Sequence, residues 1–398
     1  MSRLRILVVP KWYPWPEAPV LGSFCREHAR ALASRHEVAV LASRATRSPG
    51  FLLYRLTEEV EDGLRTLRVR YRRPWFRPAA MGCQLLGMLA ALWRLRRGGF
   101  RPDVVHAHVY SAALPALLLG RLSRALVVVT EHYTGFQRGL VRGVDRLVAR
   151  LAFHGADLVA PVSEDLAGHL RRVAPDANIR VLPNVVDTTV FTAGPQRGSG
   201  VPAGREGVPR LLSVGALAEK KGHAHLLEAL ARVRAHRELA LDVVGDGELR
   251  EALEARSARL GLAGSVRFHG ELPKHEVARL MRAADLFVLP SLHETFGCVL
   301  IEAMASGLPS VATRVGGVPE VLCAAAGTLV APRDRDALAT AIEATLERPF
   351  DPHELARTAE RRYGYEAFAR RWTEVYAELP KSTGRTSSAT RRLRASSR

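Results

Sequence analysis

Two glutamates with seven residues between them, Glu294 and Glu302, flank Phe296, Gly297 and Cys298 in the stretch LFVLPSLHETFGCVLIEAMASGLPSVATRVGGVPE, residues 286–320. The apolar run at its start reads as a strand ending near Ser291. A short loop then carries Glu294, and a helix begins near Phe296–Gly297. The first N–H groups of such a helix have no internal partners and face the carboxyl edge of the sheet. Free donors and the positive dipole end coincide there, which suits a phosphate. Gly297 permits close approach of the backbone. Glu302 lies about one and a half turns into the helix, where a carboxylate can accept from two neighbouring hydroxyls, as on a ribose. Glu294 precedes the helix, where a sugar beyond the phosphates would lie.

A second anion-seeking feature is the run SVGALAEKKG, in which Lys221 and Gly222 open a helix after the predicted strand Arg210–Gly215. Cations oppose the dipole at a helix start, and a bound phosphate would resolve that conflict. In the first half, the loop Pro16–Gly22 follows the first predicted strand, where doubly wound folds take ligands. His106, His108 and His132 stand at strand ends of the same half. Trp12, Tyr13 and Trp15 read equally as a stacking wall for a sugar or as half-buried loop packing. Ser163 and Asn184 read as capping or turn residues, with secondary ligand contacts as the alternative. Asp334-Arg335-Asp336 has the letters of a metal-binding D-x-D, but it precedes the helical pattern Ala337–Leu346, where an Asp caps. No other grouping has metal-ligand spacing. Cys25, Cys83, Cys298 and Cys323 lie far apart without C-x-x-C, so they are expected as free thiols in a reducing compartment.

Positioning these residues requires a particular frame. Short β-branched apolar runs alternate with helical patterns: Arg5–Pro10, Glu37–Ala42, Thr66–Tyr71, Val104–His108, Ala125–Thr130, Leu158–Ser163 and Ile179–Asn184. After a break come Arg210–Gly215, Leu239–Gly245, Val266–Gly270, Leu286–Ser291, Pro309–Thr313 and Gly327–Val330. Strands this apolar, separated by helices, predict an α/β protein of two Rossmann-like, doubly wound parallel domains. The predicted divisions are a first domain over 1–193, a Gly/Pro-rich linker over 194–209 and a second domain over 210–362. A helix over 363–380, with Phe368, Trp372, Val375, Tyr376 and Leu379 on one face, is expected to cross back to the first domain. A basic tail over 381–398 is expected to be disordered.

Composition sets further bounds. The 398 residues hold 58 Lys and Arg against 40 Asp and Glu, a formal charge of +18, at an ordinary hydrophobic share of 47% that excludes a largely disordered chain. The first 200 residues carry a net +14, whereas residues 201–380 are near neutral. The first domain is thus expected to face something anionic. The 16 uncharged residues between Arg77 and Arg94 fall short of the ~20 needed to span a bilayer. Only the five apolar residues Ile6–Pro10 follow Arg3 and Arg5, short of the ~7–15 of a signal core. A cytoplasmic protein is expected, soluble or peripheral on the inner face of the cell membrane. Arg70, Arg72, Arg73, Trp75, Phe76 and Arg77, with Trp93, Arg94, Arg96 and Arg97, interleave charge and aromatic rings as anionic headgroups would require.

Taken together, the Glu294/Glu302 pair around Phe296-Gly297, the following Gly307-Leu308-Pro309 and Gly316-Gly317-x-x-Glu320, and the Lys221-Gly222 segment resemble the donor site of the retaining GT-B glycosyltransferases of family 4. LPNVVD (Leu182–Asp187), VVGDGE (Val243–Glu248) and FHGELPKHEV (Phe268–Val277) are similar too, and the resemblance spans about residues 4–379. WYPWPEAPVLGSF resembles a subset of bacterial enzymes that build polysaccharides. The resemblance implies a GT-B fold, two lobes facing across a cleft, and transfer of a hexose from a nucleotide-diphosphate sugar to a hydroxyl of a glycan or lipid-linked acceptor. The nucleotide sugar would be a co-substrate, with no cofactor and no metal. It implies donor contacts at Gly22, Gly215, Lys221, Glu294, Phe296, Gly297, Cys298 and Glu302, catalytic roles for His132, Glu294 and Lys221, and acceptor-side positions for His106 and His108. Glu131 would orient the loop beside His132. One position departs: the family's usual Arg, five residues before the Lys, is Ala216 here. A nucleotide-sugar epimerase or phosphorylase on the same fold, and a non-catalytic basic protein of the membrane surface, are the competing readings. No RNA-binding motif is present, and nucleic acid is not expected as a partner.

Overall fold

A computed structural model of the chain describes residues 3–47, 53–194 and 207–380. Most of the predicted linker and all of the predicted tail lie outside them. The first lobe runs β1 (Arg5–Pro10), α1 (Ser23–Ala33), β2 (Glu37–Thr46), β3 (Tyr54–Glu61), β4 (Leu64–Arg72), α2 (Arg77–Arg97), β5 (Val104–His108), α3 (Tyr110–Ser123), β6 (Leu126–Glu131), α4 (Gly143–Gly155), β7 (Leu158–Pro161) and α5 (Glu164–Arg171). Its sheet has the order β3-β4-β2-β1-β5-β6-β7, parallel except for β3 against β4. Central strands such as β5 and β6 are buried along their whole length, as strands covered by helices on both faces must be.

The second lobe runs β8 (Arg210–Val214), α6 (His223–Arg234), β9 (Ala240–Val244), α7 (Arg250–Arg259), β10 (Val266–Phe268), α8 (Lys274–Ala283), β11 (Leu286–Leu289), α9 (Cys298–Ala305), β12 (Ser310–Thr313), α10 (Val318–Val321), β13 (Gly327–Val330) and α11 (Arg335–Glu347). Its sheet order is β10-β9-β8-β11-β12-β13. Each sheet reverses direction of growth once, between β1 and β5 and between β8 and β11. Those two reversals place an open crevice at the carboxyl ends of the strands in each lobe.

α12 (Pro352–Tyr363) packs on α9. The chain turns at Gly364 and continues as α13 (Tyr365–Glu378), which packs on α1 of the first lobe. There Phe368, Trp372, Val375 and Tyr376 share a core with Ile6, Val8, Cys25 and Leu32. Two strand expectations need correction. Ile179–Asn184 makes only an isolated bridge, Ile179 to Val159, because Pro183 and the turn that follows carry the chain away from the sheet. β3 was not anticipated. It is half-exposed, so it lacks the apolar signature of its neighbours, and it joins β4 through Asp62 and Gly63, both at positive φ as a two-residue hairpin turn requires.

Candidate active site

The loop between β11 and α9 is held from three sides. Gly222, at φ 69°, lies so close that a Cβ there would sit 2.0 Å from the Pro290 carbonyl. The N–H groups of Leu292 and His293 donate to the Lys220 carbonyl at 2.7 and 3.2 Å. On the other side, a Cβ on Gly316 would sit 1.7 Å from the Glu294 carbonyl. The first lobe closes the third side: Gln137 donates to the Glu294 carbonyl at 3.0 Å, and Thr295 donates to the carbonyl of His132 at 3.1 Å.

Within this frame the Lys221 ammonium donates to the buried Glu294 carboxylate, and Ser291 donates to the same carboxylate oxygen at 3.0 Å. Gly215 packs under the Lys221 side chain, its would-be Cβ 3.6 Å from Cδ. Phe296 is buried with its ring edge-on to Tyr363, so only its backbone can face the crevice. Gly297 is the residue before α9, and the half-buried Cys298 opens that helix. Burial pushes the Cys298 thiol up, and the nearby Glu302 and Glu294 carboxylates push it further. Desolvation raises the Glu302 carboxyl to about 7, Lys274 opposes that rise, and Glu27 adds to it. Lys274 itself bonds Glu27 at 2.8 Å and Asp187 at 3.2 Å, tying α8 to the first lobe. Burial pushes Asp187 up, but Thr189 and Lys274 outweigh it and hold the group at about 2.

Ala216 leaves no cation at its position, yet the crevice is not short of positive charge. Burial lowers the pKa of Lys220, and Lys221 and Arg138 lower it further. Arg138 belongs to the first lobe and also acts on His293. It makes no ion pair among the described residues, and no motif in the sequence pointed to it.

The histidines of the first lobe divide. His106 is fully buried, its Nδ1 paired with the Tyr376 hydroxyl at 2.8 Å and its Nε2 with Thr130 at 2.6 Å. With both nitrogens engaged beneath the sheet edge it is a core residue, which corrects its expected acceptor-side position. His108, two residues on along the same strand face, is equally buried, and its Nδ1 meets Nε2 of the half-buried His132 at 3.1 Å. Its Nε2 has no partner among the described residues. His28, unremarked in the sequence, joins them from α1, held by Asn184 at 2.9 Å. Burial drives all three imidazoles to the neutral form: His28 falls to about 4, and His108 and His132 lie well below their ordinary value. Nitrogens of the three lie within 4.8 Å of one another, the one grouping among the described residues that could hold a metal ion. The three residues are far apart in the chain, so the sequence carries no metal-ligand spacing for them.

Glu131 orients this corner. Its carboxylate accepts from the backbone N–H groups of Tyr110, His132 and Tyr133 at 2.8–2.9 Å, while burial raises its pKa to about 7. Gly22 at φ 75° brings the loop before α1 against the backbone of Trp12, within 2.3 Å of a would-be Cβ. Trp12 is half-buried and packs on Phe24 and Tyr133. Tyr13 and Trp15 are buried at 2% and 4% exposure, with Arg68 over both rings. They are packing residues rather than a stacking wall. Asp334 accepts from the Ala337 N–H at 2.9 Å and Ser163 from that of Leu166 at 3.2 Å; both are helix caps.

Two lobes of this topology, a crevice at both topological switch points and a helix returning from the second lobe to the first define a GT-B architecture. Sucrose-phosphate synthase from Thermosynechococcus elongatus superimposes with a TM-score of 0.72 at 23% identity, over 95% of this chain and 99% of that one. Anabaena HepE in complex with UDP and glucose superimposes at 0.71 and 20%, over 95% and 100%. Family models for "Glycosyl transferases group 1" and "Glycosyl transferase 4-like domain" match residues 201–362 and 21–185. Relatives include the glycogen synthase of Mycobacterium tuberculosis, 29% identical over 94% of each chain. The 2-deoxystreptamine glucosyltransferase of Streptomyces kanamyceticus is 31% identical over 79% of this chain and 82% of its own. The chain belongs to the group 1, family 4-like glycosyltransferases, and it is a glycosyltransferase that uses a nucleotide sugar.

Proposed function

We propose that the protein is a retaining, metal-independent hexosyltransferase. It would move a hexose from a nucleotide-diphosphate sugar to a hydroxyl of a lipid-linked or polysaccharide-precursor acceptor in the cytoplasm, resting on the inner face of the membrane. The observation that carries this reading is the Lys221–Glu294 pair at the mouth of α9, with Cys298 and Glu302 beyond it. An ammonium held only by a carboxylate can turn to a diphosphate. The freed Glu294 can then accept from the hexose hydroxyls. Glu302 takes the ribose, and the amides at Phe296–Cys298 face the phosphates. Arg138 and Lys220 add positive potential where Ala216 supplies none.

In the retaining course, the leaving diphosphate takes the proton of the incoming hydroxyl on the same face of the sugar. The protein's part is to stabilise the separated charge with fixed cations and amides. His132, neutral and positioned by Glu131, supplies a donor or acceptor beside the hexose, and His108 holds its tautomer. The first lobe's positive charge is suited to an anionic acceptor or surface.

Thermal shift with UDP, GDP, ADP and their sugars tests the donor site. A ligand at 100 times its Kd adds about 2.7 kcal/mol, so one nucleotide of the set is expected to raise the melting temperature clearly. No shift with any of them overturns the donor assignment. Transfer is expected to survive EDTA; abolition by chelation with rescue by a divalent metal would turn attention to the His28–His108–His132 grouping.

A further inference from the structure

The outer face of α4 is apolar where a helix on a protein surface is normally polar. Val144, Leu147 and Leu151 are 75%, 57% and 55% exposed, and Leu140 just before the helix is 50% exposed. Their spacing of three and four residues makes one stripe along the helix. The inward face is complete without them, since Ala149, Ala152 and Phe153 fill it. Arg146 and Arg150 run along one edge of the stripe. The helix's one acidic residue, Asp145, lies towards Tyr110 on the other side, where it raises that phenol's pKa.

Beside the arginine edge, between α4 and α5, opens a cavity of about 530 Å³ whose walls include Phe136, Val141 and Val173 together with Arg142, Arg146 and Arg172. The arginines are fixed by neutral acceptors. Arg146 donates to the Arg172 carbonyl at 3.0 Å, Arg142 to the Gly139 carbonyl at 2.5 Å and Arg172 to His169 at 2.7 Å. Among the described residues none of the three forms an ion pair. A guanidinium carries five donors in a planar fork, so each retains donors for an anion, and phosphate is the geometry the fork matches. In the stretch singled out from sequence, Arg70 is paired with Glu17 and Arg94 with Glu58, whereas Arg96, like the cavity arginines, donates to a neutral acceptor, the Leu122 carbonyl.

We propose that α4 and the adjoining arginine-lined cavity form a docking site for an anionic phospholipid bilayer, with Val144, Leu147 and Leu151 entering the headgroup–acyl boundary and a lipid phosphate seated among Arg142, Arg146 and Arg172. A soluble phosphate would use the cavity but not the exposed leucines; a bilayer uses both. The inward residues of α2, α3 and α4 belong to one core cluster, so these helices cover the same face of the sheet. Exposed Trp93 of α2 and Leu122 of α3 therefore extend the surface on that side. This rests on the membrane part of the reading above and gives it a location.

The test is co-sedimentation of the full chain with vesicles of phosphatidylglycerol and phosphatidylcholine in equal parts, with pure phosphatidylcholine as the comparison. Wild type is expected to prefer the anionic vesicles. Leu147→Glu combined with Leu151→Glu is expected to lower the partition coefficient roughly tenfold or more, and so is Arg142→Ala combined with Arg146→Ala. Trp75→Ala combined with Trp93→Ala should cost less. All these side chains are exposed or line an open cavity, and unchanged melting curves check the folds. Wild-type binding by the leucine variant overturns the proposal, as does a wild type indifferent to lipid charge. Binding lost only in the tryptophan variant places the membrane contact on α2 and also overturns it. Saturable binding of inorganic phosphate that needs Arg142 and Arg146, without vesicle binding, reassigns the cavity to a free anion. Transfer to a water-soluble acceptor is read in parallel: its absence in wild type counts against the hexosyltransferase reading and leaves the vesicle result standing.

Discussion

At the scale of single residues, histidines that look alike in the sequence have opposite settings. His106 and His108 both lie on β5 two positions apart, and strand geometry puts them on one face. Both are fully buried, but one register step towards the carboxyl end separates a ring with two hydroxyl partners from a ring whose partner is the half-buried His132. His106→Phe should leave the Tyr376 and Thr130 hydroxyls buried without partners. Each such group costs about 1–3 kcal/mol, so the melting temperature should fall while kcat/KM per folded molecule stays near wild type. His132→Ala should differ in activity. Its ring is half-buried over a crevice, and its loss is expected to lower kcat/KM on the order of 10²-fold, the range of a positioned polar group, while the buried His108 loses its hydrogen-bond partner at a cost of about 1–3 kcal/mol. Activity and chemical-denaturation curves measured on both variants separate the two roles. A His106→Phe enzyme of normal stability and little activity would return that residue to the site.

At the scale of elements, the site depends on how loops close over one another, and this was legible only in part. The apolar strands, the Glu294/Glu302 loop and the returning helix α13 each carry a local signal, and the structure has them at or near the predicted residues. β3 has no such signal, since half-exposed strands pattern weakly and only its Asp62-Gly63 turn could have announced it. His28 and Arg138 were invisible for another reason. Their partners stand about eighty residues or more away in sequence, and only the docking of the two lobes and the packing of α1 bring them in. The Gly316-Gly317-x-x-Glu320 motif shows both sides. Its spacing was readable, but its action across the lobes was not. Glu320 accepts from the N–H groups of Glu164 and Asp165 at 2.8 and 3.1 Å, capping α5 of the first lobe from the second. Removing that carboxylate with Glu320→Ala should cost about 1–2 kcal/mol in cross-lobe contact, because a charged acceptor at a helix N-terminus is lost. Faster amide exchange at Glu164 and Asp165, with the β8–β13 core unchanged, is the expected measurement. Unchanged exchange there would mean the lobes do not rest on this contact.

At the scale of the whole molecule, the decisive feature is how many imidazoles are buried in neutral form. Burial lowers His28 and His223 to about 4 and His106 to about 3, and it holds His108 and His132 well below their ordinary value. In the unfolded chain each would titrate near 6.5. Between that value and the folded one, the unfolded state carries a proton that the folded state lacks. Lowering the pH through this window therefore favours unfolding. Glu131 and Glu302, raised to about 7, act in the other direction between their unfolded value near 4.5 and 7, because there the folded state holds the extra proton. On unfolding at pH 5 the five histidines take up more protons than the two carboxyls release, and near pH 7 the two effects come close to cancelling. Stability should thus be greatest close to neutrality and fall steeply below pH 6. Urea melts of the nucleotide-free protein at pH 5 and 7.5 measure the difference. His223→Gln, which removes a buried imidazole at the start of α6, should reduce the acid slope by close to one proton. A melting midpoint that holds level or rises between pH 7 and 5 would show that these rings are protonated within the fold, and the neutral His108–His132 pair beside the donor sugar would fall with it.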